Sequence, residues 1–245
     1  MATPAERVEP PRRRPRKGGI RNGADFRPNN RLGRAGTVQF DADVCSPVVG
    51  EVQLCYGPDV AAADKEGTQG FPSGGPVIPI FGGYIGVECF LHPDNEYEAR
   101  ARRALELAED RFIEEQLWTW LVAGTGTVAT SIDAAIAAAE QDADDNYVGE
   151  PVLHLSREDA DLATVLLPNP VDDGKLWTRH GTPVVASGRY ASGTVVISGG
   201  ITIDQSDVVT RVGDDLTHNK RLAIAERVYG IIVDCDYRAE FTVTP

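Results

Sequence analysis

The chain has 245 residues, 42% of them hydrophobic, which is enough for a sizeable core in one or two domains. No apolar run approaches the roughly eighteen residues of a membrane span, and the N-terminus is basic and proline-rich, unlike a signal peptide. We therefore expect a cytoplasmic product without membrane contact. Four scattered cysteines, without a C-x-x-C pair, predict reduced and mostly buried thiols rather than a zinc site or a disulfide framework.

The charge of −13 is unevenly divided along the chain. Residues 1–34 contain ten Lys or Arg against three Asp or Glu, a balance of +7, which leaves 14 basic against 34 acidic residues, or −20, in the rest. Because an acidic body repels nucleic acid, contact with a polyanion should be confined to the basic segment.

The basic segment, residues 1–36, holds the cluster PPRRRPRK and few large apolar residues, so it cannot fold alone. We interpret it as an arm. It either docks on an acidic neighbouring subunit or on packaged nucleic acid, or it is a solvated tail; its length favours docking.

Residues 37–81 have the pattern of a projecting hairpin. Two short runs with strand-like alternation reach residue 56, a tract rich in glycine and proline follows to residue 76, and PVIPIF is extended again. A loop this long without a helix is unusual inside a compact domain and is typical of a functional or disordered segment.

The stretch NEYEARARRALELAEDRFIEEQLWTWLV, residues 95–122, predicts one long helix. Asn95 and Glu98 form a capping-box pattern at its start, and Gly124 and Gly126 end it. Apolar residues recur every three or four positions and predict one buried face: Tyr97, Ala101, Ala104, Leu105, Ala108, Phe112, Leu117, Trp120 and Leu121. The helix should be a spine across the molecule.

The second half alternates between helices and strands. Ser131 should cap an alanine-rich helix, PVLHL should form a buried strand, and Ser156 with Asp159 should start a helix that Pro168 stops. Valine-rich strands punctuated by glycine follow, and the last segment, RLAIAERVYGIIVDCDYRAEFTVT, predicts a long strand or a hairpin. This part is an α/β module.

Patterns for catalysis or metal binding are weak. The spacing of Asp142, Asp144 and Asn146 is that of a calcium loop, but Tyr147 stands where a glycine is required and Leu153 where a glutamate should bind. No histidine pair has zinc-helix spacing, no serine lies in G-x-S-x-G, and there is no G-x-x-x-x-G-K. We expect no metal, no cofactor and no catalytic residue.

Cys235 lies between Asp234 and Asp236, and neighbouring carboxylates disfavour a thiolate. We therefore expect no reactive thiol at this position.

The order of these parts resembles the major capsid protein of tailed phages, with the Hong Kong 97 fold. The segments GEPVLHLSREDADLATVL, LWTRHGTPVVASGRY, VVISGGITI and NKRLAIAERVYGIIVDCDYRAEFTV are similar to successive segments of actinobacterial phage capsid proteins. The resemblance covers most of residues 40–245 and carries patterns of fold, not catalytic signatures.

The resemblance implies an α+β chain with five parts. They are a basic N-terminal arm (1–36), an extended loop (37–81), a peripheral domain with the spine helix (82–123), an axial α/β domain (124–227), and a C-terminal strand returning to the peripheral domain (228–245). In that family, arm and loop lie across neighbouring subunits.

The resemblance also implies the partners. We expect a structural protein and not an enzyme, forming pentamers and hexamers in an icosahedral shell around packaged double-stranded DNA, in the virion, after assembly in the bacterial host cytoplasm. Scaffold, portal and decoration proteins are further expected partners. The expected intersubunit residues are Arg12, Arg13, Arg14, Arg16, Lys17, Arg21 and Lys65, the last being the one lysine of the loop and a candidate for a cross-link.

Three alternatives remain open. One is an encapsulin-like shell, a second is a minor capsid or decoration protein, and the third is a soluble α/β enzyme. The enzyme would need a pocket with convergent titratable groups around His154, Arg179 and His180.

Overall fold

The computed structural model describes residues 19–30, 32, 37–38, 78–79, 81–90, 96–168, 175–215 and 220–243. Within these ranges the protein has the predicted mixed α+β structure, with two main sheets and three α-helices.

The first main sheet has five strands. They are β1 (Ala24–Pro28), β4 (Phe81–Phe90), β11 (Ile201–Gln205), β12 (Val209–Asp215) and β13 (Lys220–Val233). The fourteen-residue β13 organises the sheet, because its first part pairs with both β12 and β4 and its last part pairs with β11. All of these pairings are antiparallel, and β1 then adds to β11 in parallel.

The second main sheet has seven strands in the order β5-β14-β10-β6-β9-β8-β7. Their bounds are β5 Thr127–Ala129, β6 Val152–Ser156, β7 Leu166–Pro168, β8 Leu176–Thr178, β9 Pro183–Ser187, β10 Thr194–Ser198 and β14 Arg238–Val243. Strand β6 is buried along its whole length between β10 and β9, which explains its almost continuous apolar sequence.

Two short strands, β2 (Thr37–Val38) and β3 (Ile78–Pro79), form an antiparallel pair. This pair joins the two ends of the segment in which the sequence predicts a projecting hairpin. Residues 39–77 and residue 80 of this segment lie outside the described residues.

Helix α1 (Tyr97–Leu121) is the predicted spine, about 37 Å long. Its N-cap is Glu96, whose side chain makes no capping hydrogen bond, and the predicted cap Asn95 is outside the described residues. The buried face repeats every three or four residues as predicted, but it includes two glutamates, Glu109 and Glu114, that the sequence pattern assigned to solvent.

Helices α2 (Ile132–Asn146) and α3 (Arg157–Leu162) begin at the predicted caps. The Ser131 hydroxyl accepts the Ala134 N–H, and the Ser156 hydroxyl accepts the Asp159 N–H. Helix α3 is shorter than predicted, because the Asp133 carboxylate accepts the N–H and hydroxyl of Thr164 and the chain then becomes β7.

The C-terminal segment divides between the two sheets. After β13 a 3-10 turn (Asp234–Asp236) turns the chain, and β14 then pairs with β10 and β5 in the seven-stranded sheet. Residues 228–233 thus belong to the five-stranded sheet, and residues 238–243 do not return to it. The boundaries assigned to the domains remain predictions.

Candidate assembly site at the root of the basic arm

The described part of the N-terminal segment lies on the protein's own body from residue 19 onwards. Residues 19–23, which we call the arm root, contain a 3-10 turn (Ile20–Asn22), and β1 follows directly. Ile20 is completely buried among residues of α1 and both sheets, and Leu32 is 2% exposed. Residues 19–30 are therefore not part of a free arm, contrary to the expectation for the whole of residues 1–36.

Arg21 is the one predicted intersubunit residue that the structure describes. Its Nη2 lies 2.7 Å from Glu109 Oε1 and its Nε 2.8 Å from Asp110 Oδ1, both on α1, and its guanidinium lies over the Phe26 ring. Burial alone would lower the pKa of Arg21, but the hydrogen bonds and charges of Asp110 and Glu109 outweigh it and raise that pKa. Arg21 thus pairs within its own chain; its intersubunit role stays a prediction.

Glu109 joins the arm root to the five-stranded sheet. Its carboxylate is 5% exposed and accepts hydrogen bonds from Arg21, from Arg227 Nη1 at 2.9 Å and from the Tyr229 hydroxyl at 3.1 Å. Burial, and next the charge of Glu109, raise the pKa of Tyr229, so its hydroxyl stays a donor. Two guanidinium groups compensate the buried carboxylate, which explains why it is tolerated there.

Strand β1 is held by a second acidic residue. Asp204 of β11 accepts a hydrogen bond from Asn29 Nδ2 at 2.8 Å and lies 3.4 Å from Arg27 Nε, while the Asn29 N–H donates to the Gln205 carbonyl. The segment after the arm root is therefore anchored along its length by hydrogen bonds.

The other predicted intersubunit residues lie outside the described residues. They are Arg12, Arg13, Arg14, Arg16, Lys17 and Lys65. Their roles, including the cross-link considered for Lys65, remain predictions.

The three residues named for an enzyme do not converge. His154 is completely buried in β6, with Nε2 3.0 Å from the Ser198 hydroxyl, and burial lowers its pKa to about 3, so it is neutral near pH 7. Arg179 and His180 are exposed in the turn between β8 and β9. The described residues contain no group of three or more side chains suited to a metal ion and no helix that could span a membrane.

A cavity of about 320 Å³ lies between α1 and β4. Its lining includes the apolar residues Ile85, Leu105, Ala108 and Phe112, and the carboxylate of Glu109 at its edge is already held by two guanidinium groups. Arg111, Glu115 and Tyr229 also line the cavity.

Cys235 is disulfide-bonded, which contradicts one expectation from the sequence. The prediction of four reduced thiols is therefore wrong, and the argument about the pKa of this thiol no longer applies. Cys235 and Asp236 both have a positive φ, 45° and 58°, in the turn between β13 and β14. Isolated cysteines in a sequence do not reveal their pairing, since the pairing depends on distant contacts.

Comparison of whole structures identifies the fold. The chain is similar to the capsid protein of a native GTA particle, with a TM-score of 0.57 and 12% identity over 100% of this chain and 95% of that one. It is also similar to a structure of Microbacterium phage Oxtober96, with a TM-score of 0.54 and 15% identity over 100% and 96% of the two chains. Neither a family profile nor a curated protein sequence matches this chain.

A third similar structure is the holo-SrpI encapsulin complex of Synechococcus elongatus PCC 7942. It has a TM-score of 0.57 and 10% identity over 91% of this chain and 85% of that one. The fold is thus one that phage capsid proteins and an encapsulin share. The predicted capsid-type fold is confirmed.

Proposed function

We propose that the protein is the major capsid protein of a tailed phage, which assembles into an icosahedral shell around the phage genome. The observation that carries this proposal is the capsid fold over the full chain, with 100% of this chain and 95% of the GTA capsid chain aligned. Such a protein works through its surfaces rather than through a catalytic pocket.

The charge distribution supports assembly through the arm. Residues 1–18, which precede the arm root, carry six basic residues against two acidic ones, whereas the rest of the chain is strongly acidic. We expect residues 1–18 to cross a neighbouring body, with the attraction screened beyond about 8 Å at physiological salt. The extended loop would gain burial from neighbours in the same way, and pentamers and hexamers would complete the shell.

The proposal places the protein in the virion, after assembly in the host cytoplasm. Scaffold, portal and decoration proteins are proposed partners, with double-stranded DNA enclosed by the shell. Because the body is acidic, any DNA contact of this subunit would involve residues 1–18.

Sedimentation velocity of the purified protein tests the proposal. We expect a large, discrete species hundreds of times heavier than the 26.4 kDa subunit. Deletion of residues 1–18 should leave a soluble body that fails to form the normal particle. A sharp monomer or dimer boundary under all conditions, with a separate scaffold also supplied, would contradict the proposal.

An encapsulin-like shell is the second candidate, favoured by the similarity to the holo-SrpI encapsulin at a TM-score of 0.57. The contents of purified native particles distinguish a phage head from an encapsulin-like shell. Packaged DNA indicates a phage head, whereas an enclosed protein cargo without DNA indicates a compartment. A minor capsid role would be revealed by a low copy number relative to another shell protein.

A further inference from the structure

The arm root is held between helix α1 and the seven-stranded sheet by two close approaches. A Cβ at Gly19 would lie 2.6 Å from Glu114 Oε1 on α1. A Cβ at Gly23 would lie 2.5 Å from Val152 Cγ1 and 2.8 Å from Val185 Cγ2, both in the seven-stranded sheet. The two glycines that flank the turn thus each allow a close approach to a different layer, α1 at one end and β6 with β9 at the other.

Glu114 connects three elements through one carboxylate. It is 6% exposed; Oε1 accepts the Ile20 N–H at 3.0 Å, and Oε2 accepts the Ser187 hydroxyl at 2.6 Å. The spine helix is therefore joined to the arm root and to the end of β9 by the same buried group. A buried carboxylate with two good donors is geometrically well defined, because either bond left unmade costs the desolvation of a polar group.

Asn22 connects the arm root to the seven-stranded sheet. Its Nδ2 donates to the Leu176 carbonyl at 2.9 Å and to the Val184 carbonyl at 2.6 Å. Leu176 and Val184 are directly paired residues of β8 and β9. The side-chain amide of Asn22 therefore binds two neighbouring strands of the seven-stranded sheet.

The same short segment is also tied to the five-stranded sheet. Residue 24 begins β1, whose parallel pairing with β11 starts at Ala24 opposite Ile201. Ile20 lies in one continuous core with Ile113 and Leu117 of α1 and with Val152 and Val185 of the other sheet. Five residues of arm root therefore contact the spine helix and the seven-stranded sheet, and the next residue joins the five-stranded sheet.

We propose that the arm root acts as a lock, meaning that its contacts hold the two sheets at a fixed angle. We also propose that this angle depends on where residues 1–18 are bound. Gly19, the first described residue after this segment, lies beside Glu114, so docking of residues 1–18 on a neighbour would act on the contact between α1 and β9. In a shell, docking of the arm on a neighbour would then select one angle between the sheets and hence one curvature. This part of the inference rests on the proposed function.

Asn22→Ala tests the lock, because it removes both hydrogen bonds to β8 and β9 without adding volume. Gly23→Ala is a second variant, in which the new Cβ must displace Val152 or Val185. Gly82→Ala is the matched control, since Gly82 is exposed in β4 and a Cβ there meets no atom within 4 Å.

Amide hydrogen exchange of the unassembled full-length protein gives the first readout. In Asn22→Ala we expect amide exchange at residues 176–178 and 184–187 to rise about tenfold relative to β14, with Gly82→Ala unchanged. A uniform rise over all strands would show general destabilisation and would overturn the lock, as would no change at all.

Shell geometry gives the second readout. We expect particles of Asn22→Ala to vary in diameter, whereas wild-type and Gly82→Ala particles are uniform. Uniform Asn22→Ala shells of normal size would overturn the coupling to curvature. If the wild-type protein forms no particles, the proposed function fails, while the exchange measurement still decides whether the lock exists.

Discussion

Glu109 and Arg227 lie 118 residues apart in the chain and form an ion pair, with Arg227 Nη1 2.9 Å from Glu109 Oε2. Glu109 is on the spine helix and Arg227 on β13, so the pair ties the helix to the central strand of the five-stranded sheet. Arg21 and the Tyr229 hydroxyl bind the same carboxylate. Glu109 therefore connects the arm root, the spine helix and the five-stranded sheet through one buried carboxylate.

Glu109→Gln should lower the free energy of unfolding by about 3 kcal/mol, because it removes the buried counter-charge of Arg227, while Arg21 keeps only its ion pair with Asp110. The measurement is urea denaturation of the unassembled subunit. Glu106→Gln, an exposed position on the same helix, is the control and should change the stability by less than about 0.5 kcal/mol. Equal effects of the two substitutions would show that the buried cluster contributes nothing specific.

His154 should make the subunit less stable in acid. Its folded-state pKa of about 3 lies below the ordinary value of 6.5, so between these values the unfolded chain binds the proton and the folded chain does not. The contribution to stability is complete above pH 6.5 and is lost as the pH falls towards 3, at about 1.4 kcal/mol per pH unit.

The pH effect is measured as the difference in unfolding free energy between wild type and His154→Gln. We expect this difference to fall steadily from about pH 6 to pH 4, since only the wild type has the titrating group. A difference that is constant over this range would mean that His154 is already protonated in the folded state.

The N-terminal caps of α2 and α3 should contribute differently to the free energy of unfolding. Ser156 is 4% exposed, and its hydroxyl both accepts the Asp159 N–H and donates to the Asp159 carboxylate, whereas Ser131 is exposed and makes a single capping bond. Ser156→Ala should therefore cost about 2 kcal/mol and Ser131→Ala about 1 kcal/mol, both measured by thermal or urea unfolding. The reverse order would contradict the burial of the α3 cap.

Basic residues of the free arm should speed assembly in a salt-dependent way. Replacing Arg12 and Arg13 by glutamine should slow particle formation about threefold or more at low salt, measured by light scattering, and the difference should shrink as salt is added. Arg102 and Arg103, an adjacent exposed pair on α1, provide the matched control. An equal slowing in the control would mean that overall charge, not the arm, sets the rate.

Local signals in the sequence predicted much of the fold. The spine helix, which ends at Leu121 just before Gly124 with its φ of +74°, and the caps at Ser131 and Ser156 depend on residues close together in the chain. The order of the parts also predicted the capsid-type fold, which the comparison of structures confirms.

Distant contacts could not be predicted in the same way. A glutamate on a helix with many charges is predicted to be exposed to solvent. Glu109 and Glu114 are buried because distant residues, Ile20, Ser187 and Arg227, contact them. The same holds for the arm root, whose composition is that of a free arm but whose Ile20 fills a site in the core. One signal was available: the spacing of Gly19 and Gly23 around a single isoleucine, in a segment otherwise poor in apolar residues.

Cryo-electron microscopy of particles assembled from the purified full-length protein tests the central claim most directly. The account predicts closed icosahedral shells in which each subunit keeps the two-sheet body and residues 1–18 lie on a neighbouring subunit. Particles without closed symmetry, or shells in which residues 1–18 fold back on their own subunit, would contradict it.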